Sequence, residues 1–75
     1  MEILITGVTG RVGRNLSKCL IDNGHNVRGL VLESDENIEL VKKIGVKCYP
    51  GDLNNSASLV EAVSNVNGIY HLGGL

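Results

Sequence analysis

Three glycines at three-residue spacing, Gly7, Gly10 and Gly13, break the start of the chain and restrict what it can become. They follow an apolar run, Ile3-Leu4-Ile5, that stops at Thr6, and they lead into a stretch with helical periodicity. A strand that gives way to a glycine turn and then a helix presents the unpaired N–H groups of the helix's first turn, and these form an anion site. Gly7 lets the chain leave the strand in a backbone conformation that a Cβ would obstruct. Gly10 falls where the helix begins, so a diphosphate can approach its positive end. Gly13 lies one turn in, where glycine costs about 0.5–1 kcal/mol relative to alanine; close packing of helix on sheet is the reason that would offset it. The spacing is Gly-x-x-Gly-x-x-Gly, not the Gly-x-Gly-x-x-Gly of the standard fingerprint. On spacing alone the stretch reads either as a dinucleotide turn or as a plain glycine turn.

The rest of the chain alternates strand and helix. A first strand over Glu2 to Thr6 is continuously apolar, which suits a central parallel strand covered on both faces. A first helix from Thr9 or Gly10 to Asn23 places Val12, Leu16, Cys19 and Leu20 inward, and Gly24 stops it. A second strand follows from Asn26 to Leu32. The polar stretch Glu33 to Asn37 opens a second helix, with Ser34 or Asp35 as N-cap, that runs to Ile44 with Ile38, Val41 and Ile44 inward. Its acids come early and Lys42 and Lys43 late, in keeping with the macrodipole. A third strand, Val46 to Tyr49, closes at Pro50-Gly51. The Asn54-Asn55-Ser56 cluster then caps a third helix with Leu59, Val60 and Val63 inward, and a fourth strand spans Gly68 to Leu72. This is βαβαβαβ with short connections, an α/β chain with a parallel, Rossmann-type half-sheet. The expected strand order is 3-2-1-4, with the first two helices on one face and the third on the other.

With these residues in place, Ile5-Thr6-Gly7-Val8-Thr9-Gly10-Arg11-Val12-Gly13 resembles the Thr-Gly-x-x-Gly-x-x-Gly signature of the short-chain dehydrogenase/reductase superfamily. The resemblance is greatest to its extended and atypical branches: the NAD-dependent epimerase/dehydratase, dihydroflavonol-reductase-like and NmrA-like proteins. It continues in Asn23-Gly24-His25-Asn26-Val27-Arg28, in Gly51-Asp52-Leu53 and in Ile69-Tyr70-His71-Leu72-Gly73-Gly74, in the expected order and over essentially the whole chain. It implies an NAD or NADP site at the strand tips, with Gly7, Thr9, Gly10, Arg11, Val12 and Gly13 around the diphosphate. Asp52 would accept from the adenine amino group with Leu53 beside the ring. Gly73 and Gly74 would let the backbone approach the diphosphate and the ribose on the nicotinamide side, where the family usually carries Ala-Ala or Ala-Gly. Glu33, 20 residues after Gly13, reads either as an acceptor for the adenosine ribose, favouring NAD, or as an exposed acid opening the second helix. The family sets that choice one or two positions earlier, where this chain has Val31 and Leu32. Arg11 could instead pair with a 2′-phosphate. His71 and Tyr70 read as supporting strand residues and His25 as a turn residue, so no residue is assigned to catalysis.

Composition narrows the remaining classes. A net charge of −1 and only two aromatic residues, Tyr49 and Tyr70, give no electrostatic or stacking argument for nucleic acid. No apolar run approaches the roughly 20 residues that span a bilayer, and no signal-peptide pattern precedes the first strand. Cys19 and Cys48 belong to no metal-spaced cluster and read as core thiols, which points to the cytoplasm and to no bound metal. The family performs redox chemistry with a Tyr-x-x-x-Lys pair, and neither tyrosine here has a lysine at that spacing: Leu53 and Gly74 stand there instead. The expectation is therefore that residues 1–75 form the N-terminal, nucleotide-binding part of an oxidoreductase-, epimerase- or dehydratase-like protein, incomplete as a catalyst. The alternatives are a non-catalytic NAD(P)-sensing module and a self-associating structural half-domain. The fourth strand, short and apolar, would form an unpaired edge and invite a homo-oligomer.

Overall fold

The structure, a computed structural model, describes residues 1–51 and 54–72. Its elements are β1 (Glu2–Thr6), α1 (Arg11–Asp22), β2 (Asn26–Val31), α2 (Ile38–Ile44), β3 (Lys47–Pro50), α3 (Ser56–Val63) and β4 (Gly68–His71). The four strands form one parallel sheet in the order β3-β2-β1-β4. β1 lies between β2 and β4, with Ile3 opposite Val27 on one side and Gly68 on the other. That placement follows from its composition, because Ile3, Leu4 and Ile5 are all buried and alternate between the two faces.

Each face has its own core. Ile3, Ile5, Val8, Val27, Val31, Val41 and Val46 form the larger cluster, against which Leu16, Leu20 and Ile21 of α1 and Ile38 of α2 pack. Leu4, Leu30 and Ala62 form the smaller one, with Tyr49, Leu59 and Val66. Helices α1 and α2 therefore cover one face and α3 the other, as right-handed crossovers require.

Two helical faces differ from expectation. In α1 the buried centre is Gly13 and Ser17, flanked by Leu16, Leu20 and Ile21, whereas Val12 and Cys19 are exposed. At 3.6 residues per turn Cys19 stands about 120° from Gly13. The stripe is centred on the small residues, because they let the helix approach the sheet, and the Ser17 hydroxyl is satisfied by the Gly13 carbonyl at 2.7 Å. In α3 the buried residue is Ala62, with Leu59 packed beside it, and Val60 and Val63 are exposed. Val60 lies about 160° around the helix from Ala62. Cys48 does pack against the larger core, and both thiols are free.

The start of α2 also differs. Neither Ser34 nor Asp35 caps it: residues 32–35 form a turn closed by Asp35 N–H donating to the Leu32 carbonyl at 2.9 Å, and the helix begins at Ile38. Asn55 does cap α3, accepting from the Ala57 N–H at 3.1 Å. The end of α1 is closed by a double bond pattern, His25 N–H to Leu20 and Gly24 N–H to Ile21, with Gly24 at φ +86°.

One polar side chain ties the sheet together beneath α3. Arg28 of β2 donates from Nε to Glu2 Oε1 at 3.0 Å and from Nη1 to the carbonyls of Ala62 and Ser64 at 3.2 and 2.7 Å. Its guanidinium also lies over the Tyr49 ring, 5.4 Å from the centroid. It thus joins β1, β2 and β3 to the C-terminal end of α3, where carbonyls lack helical partners.

Candidate functional site

At the carboxyl ends of β1, β2 and β3 lies a cleft of about 270 Å³, lined by Thr6, Gly7, Thr9, Leu30, Val31, Leu32, Asp35, Gly51 and Asn54. It sits beside the point where the chain order reverses, β1 being followed in sequence by β2 on one side and paired with β4 on the other. Ligands of open α/β sheets occupy that region.

The glycine turn forms one wall. Gly7 leaves β1 at φ +73°, in the left-handed region, and its carbonyl accepts from the Gly10 N–H at 3.2 Å. Gly10 is the N-cap of α1 and adopts an extended conformation; no side chain caps the helix and no acid occupies its first turn. The first turn of α1 thus carries no acid of its own at the positive end of the dipole. Gly13 explains the closeness of turn and helix: a Cβ there would lie 2.4 Å from the Gly7 carbonyl oxygen and 2.7 Å from Val8 Cα. Val8 in turn reaches over β2, where a Cβ on Gly29 would meet its Cγ1 at 2.6 Å.

Asp35 lines the cleft beside this turn. Its Oδ2 accepts from the Thr9 hydroxyl at 2.6 Å and its Oδ1 from the Asn37 N–H at 2.8 Å. The Thr9 bond first, and the Asn37 bond second, hold its pKa below the ordinary aspartate value. The loop after β2 is therefore fastened to the glycine turn by a carboxylate that faces the cleft.

Glu33 stands elsewhere. It is exposed and lines a shallower depression with Leu32, Ser34, Pro50, Gly51, Asn55 and Ser58. Arg11 also lies outside the main cleft, in a groove between α1 and α2 shared with Arg14, Asn15, Lys18, Leu40 and Ile44. Val12 is exposed on the first turn of α1. Asp52, Leu53, Gly73 and Gly74 lie outside the described residues; Gly51 and Asn54, which flank the first two, line the cleft. His71, at the end of β4, shares a 2.6 Å hydrogen bond between Nδ1 and the Thr6 hydroxyl, which links the two strands flanking the reversal. Asp35 is the cleft residue that local pattern reading missed. The available signal was its distance from Gly13, 22 residues, close to the interval at which an acid meets the ribose in dinucleotide folds.

Among the described residues no group of three or more His, Cys, Asp or Glu could hold a metal ion, and no helix is long and apolar enough to cross a membrane. A parallel 3-2-1-4 sheet with a helix entering from a glycine turn defines a Rossmann-type unit. Within that class the chain belongs to the NmrA-like family, whose model matches residues 1–74. It is similar to the phenylcoumaran benzylic ether reductase PT1 of Pinus taeda, with 38% identity over 74 residues, covering 88% of this chain and 24% of that protein. The crystal structure of isoflavone reductase superposes with a TM-score of 0.82 at 29% identity, over 97% of this chain and 27% of the other. UDP-glucose 4-epimerase from Bifidobacterium longum, in complex with NAD+ and UDP, gives 0.80 at 29% identity, over all of this chain and 25% of that one. The chain thus spans about a quarter of the length of these relatives.

Proposed function

We propose that the chain binds a nicotinamide dinucleotide, NAD or NADP, as the nucleotide-binding portion of a reductase-, epimerase- or dehydratase-like protein. The observation that carries this reading is the entry to α1, where a glycine turn meets a helix end that has neither a capping side chain nor an acid and opens beside a cleft at the strand tips. A diphosphate fits such an end because backbone N–H groups and the helix dipole both favour an anion. In this reading Gly7, Thr9, Gly10, Arg11, Val12 and Gly13 surround the diphosphate, Asp52 and Leu53 hold the adenine, and Gly73 and Gly74 allow the backbone close to the nicotinamide half. Of the sequence candidates for cofactor choice, Glu33 favours NAD and Arg11 favours NADP; the epimerase relative carries NAD+. When bound, the cofactor would supply the hydride donor or acceptor. The 75 residues hold no Tyr-x-x-x-Lys pair, so the proton transfers of such chemistry belong to residues outside them. The three relatives named above are two reductases and an epimerase, which favours a catalytic parent over a sensing or purely structural module.

Isothermal titration of the protein with NAD and with NADP, alongside Gly10→Asp, tests the proposal. Aspartate is a good N-cap, so the variant should fold while its carboxylate repels the diphosphate. Binding that Gly10→Asp abolishes supports the site. No binding of either cofactor at millimolar concentration refutes it. We further propose a cytoplasmic location, on the strength of the two free thiols, and self-association through β4, an edge strand with Ile69 and Tyr70 exposed. A chain that sediments as a monomer at high micromolar concentration would refute the last of these.

A further inference from the structure

We propose that the groove between α1 and α2 is a docking surface for an acidic, amphipathic peptide segment of another protein. The groove holds about 380 Å³ and is lined by Arg11, Arg14, Asn15 and Lys18 of α1 and by Leu40 and Ile44 of α2. It shares no lining residue with the cleft at the strand tips. At 3.6 residues per turn the three cations fall in a stripe about 60° wide and about 10 Å long. No acid lines the groove. Among the described residues the ion pairs join Arg28 to Glu2 and Lys42 to Glu39, so Arg11, Arg14 and Lys18 have no carboxylate partner. Arg14 Nε is buried without a hydrogen-bond acceptor. The described residues offer that donor no partner, and a carboxylate entering the groove supplies one with a charge-assisted bond.

The two walls together define the occupant. Leu40 is 41% exposed and Ile44 half-buried, one turn apart on α2, and neither belongs to the two core clusters. A helix laid in a groove presents apolar anchors at i and i+4, which matches that pair, while carboxylates along its flank meet the stripe on α1. A free oxyanion would use the cations and leave Leu40 and Ile44 in water. A nucleic-acid strand draws affinity from aromatic platforms, and neither tyrosine lines the groove. The whole chain carries a net charge of −1, so three unpaired cations on one helix face are a local segregation of charge. Such a patch steers an anionic partner to its site and fixes its register.

The test is fluorescence anisotropy with a labelled synthetic helix of leucine and glutamate, its leucines at i and i+4 and its glutamates along one flank. The native protein should bind it saturably at low salt and more weakly as ionic strength rises. Lys18→Gln should weaken binding about threefold and Arg14→Gln about tenfold, the larger loss reflecting the guanidinium's paired donors. Leu40→Ser should also cost about tenfold, through the apolar anchor. Lys43→Gln makes the same change of charge on α2 outside the groove and should leave affinity within about twofold. Lys18 and Leu40 are exposed, so these variants keep the fold, and unchanged circular dichroism confirms it. Absence of binding at millimolar peptide would overturn the proposal. So would equal losses in Lys43→Gln and Lys18→Gln, which would reduce the effect to diffuse charge. Tighter binding of inorganic polyphosphate, indifferent to Leu40→Ser, would make the groove a phosphate site instead. A native dimer that Lys18→Gln dissociates in sedimentation without peptide would give the groove to a second copy of the chain.

Discussion

Gly13→Ala is the substitution that most directly tests how the turn and α1 are built. An added Cβ would lie 2.4 Å from the Gly7 carbonyl oxygen, 2.7 Å from Val8 Cα and 2.8 Å from the Val8 carbonyl oxygen. All three are backbone atoms, so no side chain can swing aside. Ordinary contact begins at 3.4 Å, and the helix must therefore retreat from the turn by about 1 Å. Overpacking of this kind costs about 1–3 kcal/mol. Alanine recovers about 0.8–1 kcal/mol through helix propensity. The net expectation is a loss of up to about 2 kcal/mol, equivalent to a fall in Tm of up to very roughly 15 °C for a domain this small. Gly10→Ala is the matched control, since its Cβ would meet only the Gly7 carbonyl oxygen at an ordinary 3.5 Å. Thermal and urea melts followed by circular dichroism give both values. A Gly13→Ala variant as stable as the native chain, or more so, would show that propensity governs the position and that close approach does not. If the proposed cofactor site is correct, the same variant loses dinucleotide affinity by more than it loses stability, because the Gly7 to Gly10 backbone is displaced with the helix.

Three further outcomes follow from particular contacts. Arg28→Met should destabilise the chain by about 2–4 kcal/mol, because the carbonyls of Ala62 and Ser64 lose charge-assisted donors at a largely buried position, and urea melts read it directly. Stability should fall in acid: the Arg28 bond and then the Asn26 bond lower the Glu2 pKa, and the Thr9 and Asn37 bonds lower that of Asp35, so the native state favours both carboxylates ionised. Their contribution is complete above the ordinary values of 4.5 and 3.8 and is lost as pH falls through the depressed native ones, and Glu2→Gln with Asp35→Asn should flatten that part of a pH titration of Tm. Finally, Cys19 is exposed, whereas burial pushes the Cys48 thiol up from its ordinary value, so maleimide at neutral pH should label Cys19 well before Cys48 in the folded chain and both together in urea. Equal labelling rates in the native state would contradict the packing of Cys48 against the larger core.

What could be read from the sequence divides by range. β1 is found over Glu2–Thr6 as its apolar run indicates, and the 3-2-1-4 sheet follows from short alternating elements joined by right-handed crossovers. The stop at Gly24 and the cap at Asn55 are likewise local chemistry, legible in a few residues. The helix faces were read less well. Hydrophobic periodicity weights Val12 and Cys19 as core residues, yet α1 is centred on Gly13 and Ser17, where small size matters more than apolarity. Val60 and Val63 were misplaced in α3 for the related reason that Ala62, the least bulky apolar residue in the stripe, sets the contact.

Asp35 shows why the site itself was harder to read than the fold around it. An Asp two residues before an N–H that it can accept from looks the same in sequence whether it caps a helix or closes a turn ahead of one. Here it accepts from Asn37 and the helix starts later, at Ile38. What settles its orientation is Thr9, 26 residues earlier, and that pairing exists only because β1 and β2 are neighbours with Thr6 opposite Leu30. The parallel register brings the loops after both strands to the same edge, so the hydroxyl of one meets the carboxylate of the other. Local motifs thus specify where a site can form in this fold, and strand adjacency specifies which side chains furnish it. Glu33, picked out by its interval from the glycine turn, lines a neighbouring depression, two positions from the acid that lines the cleft.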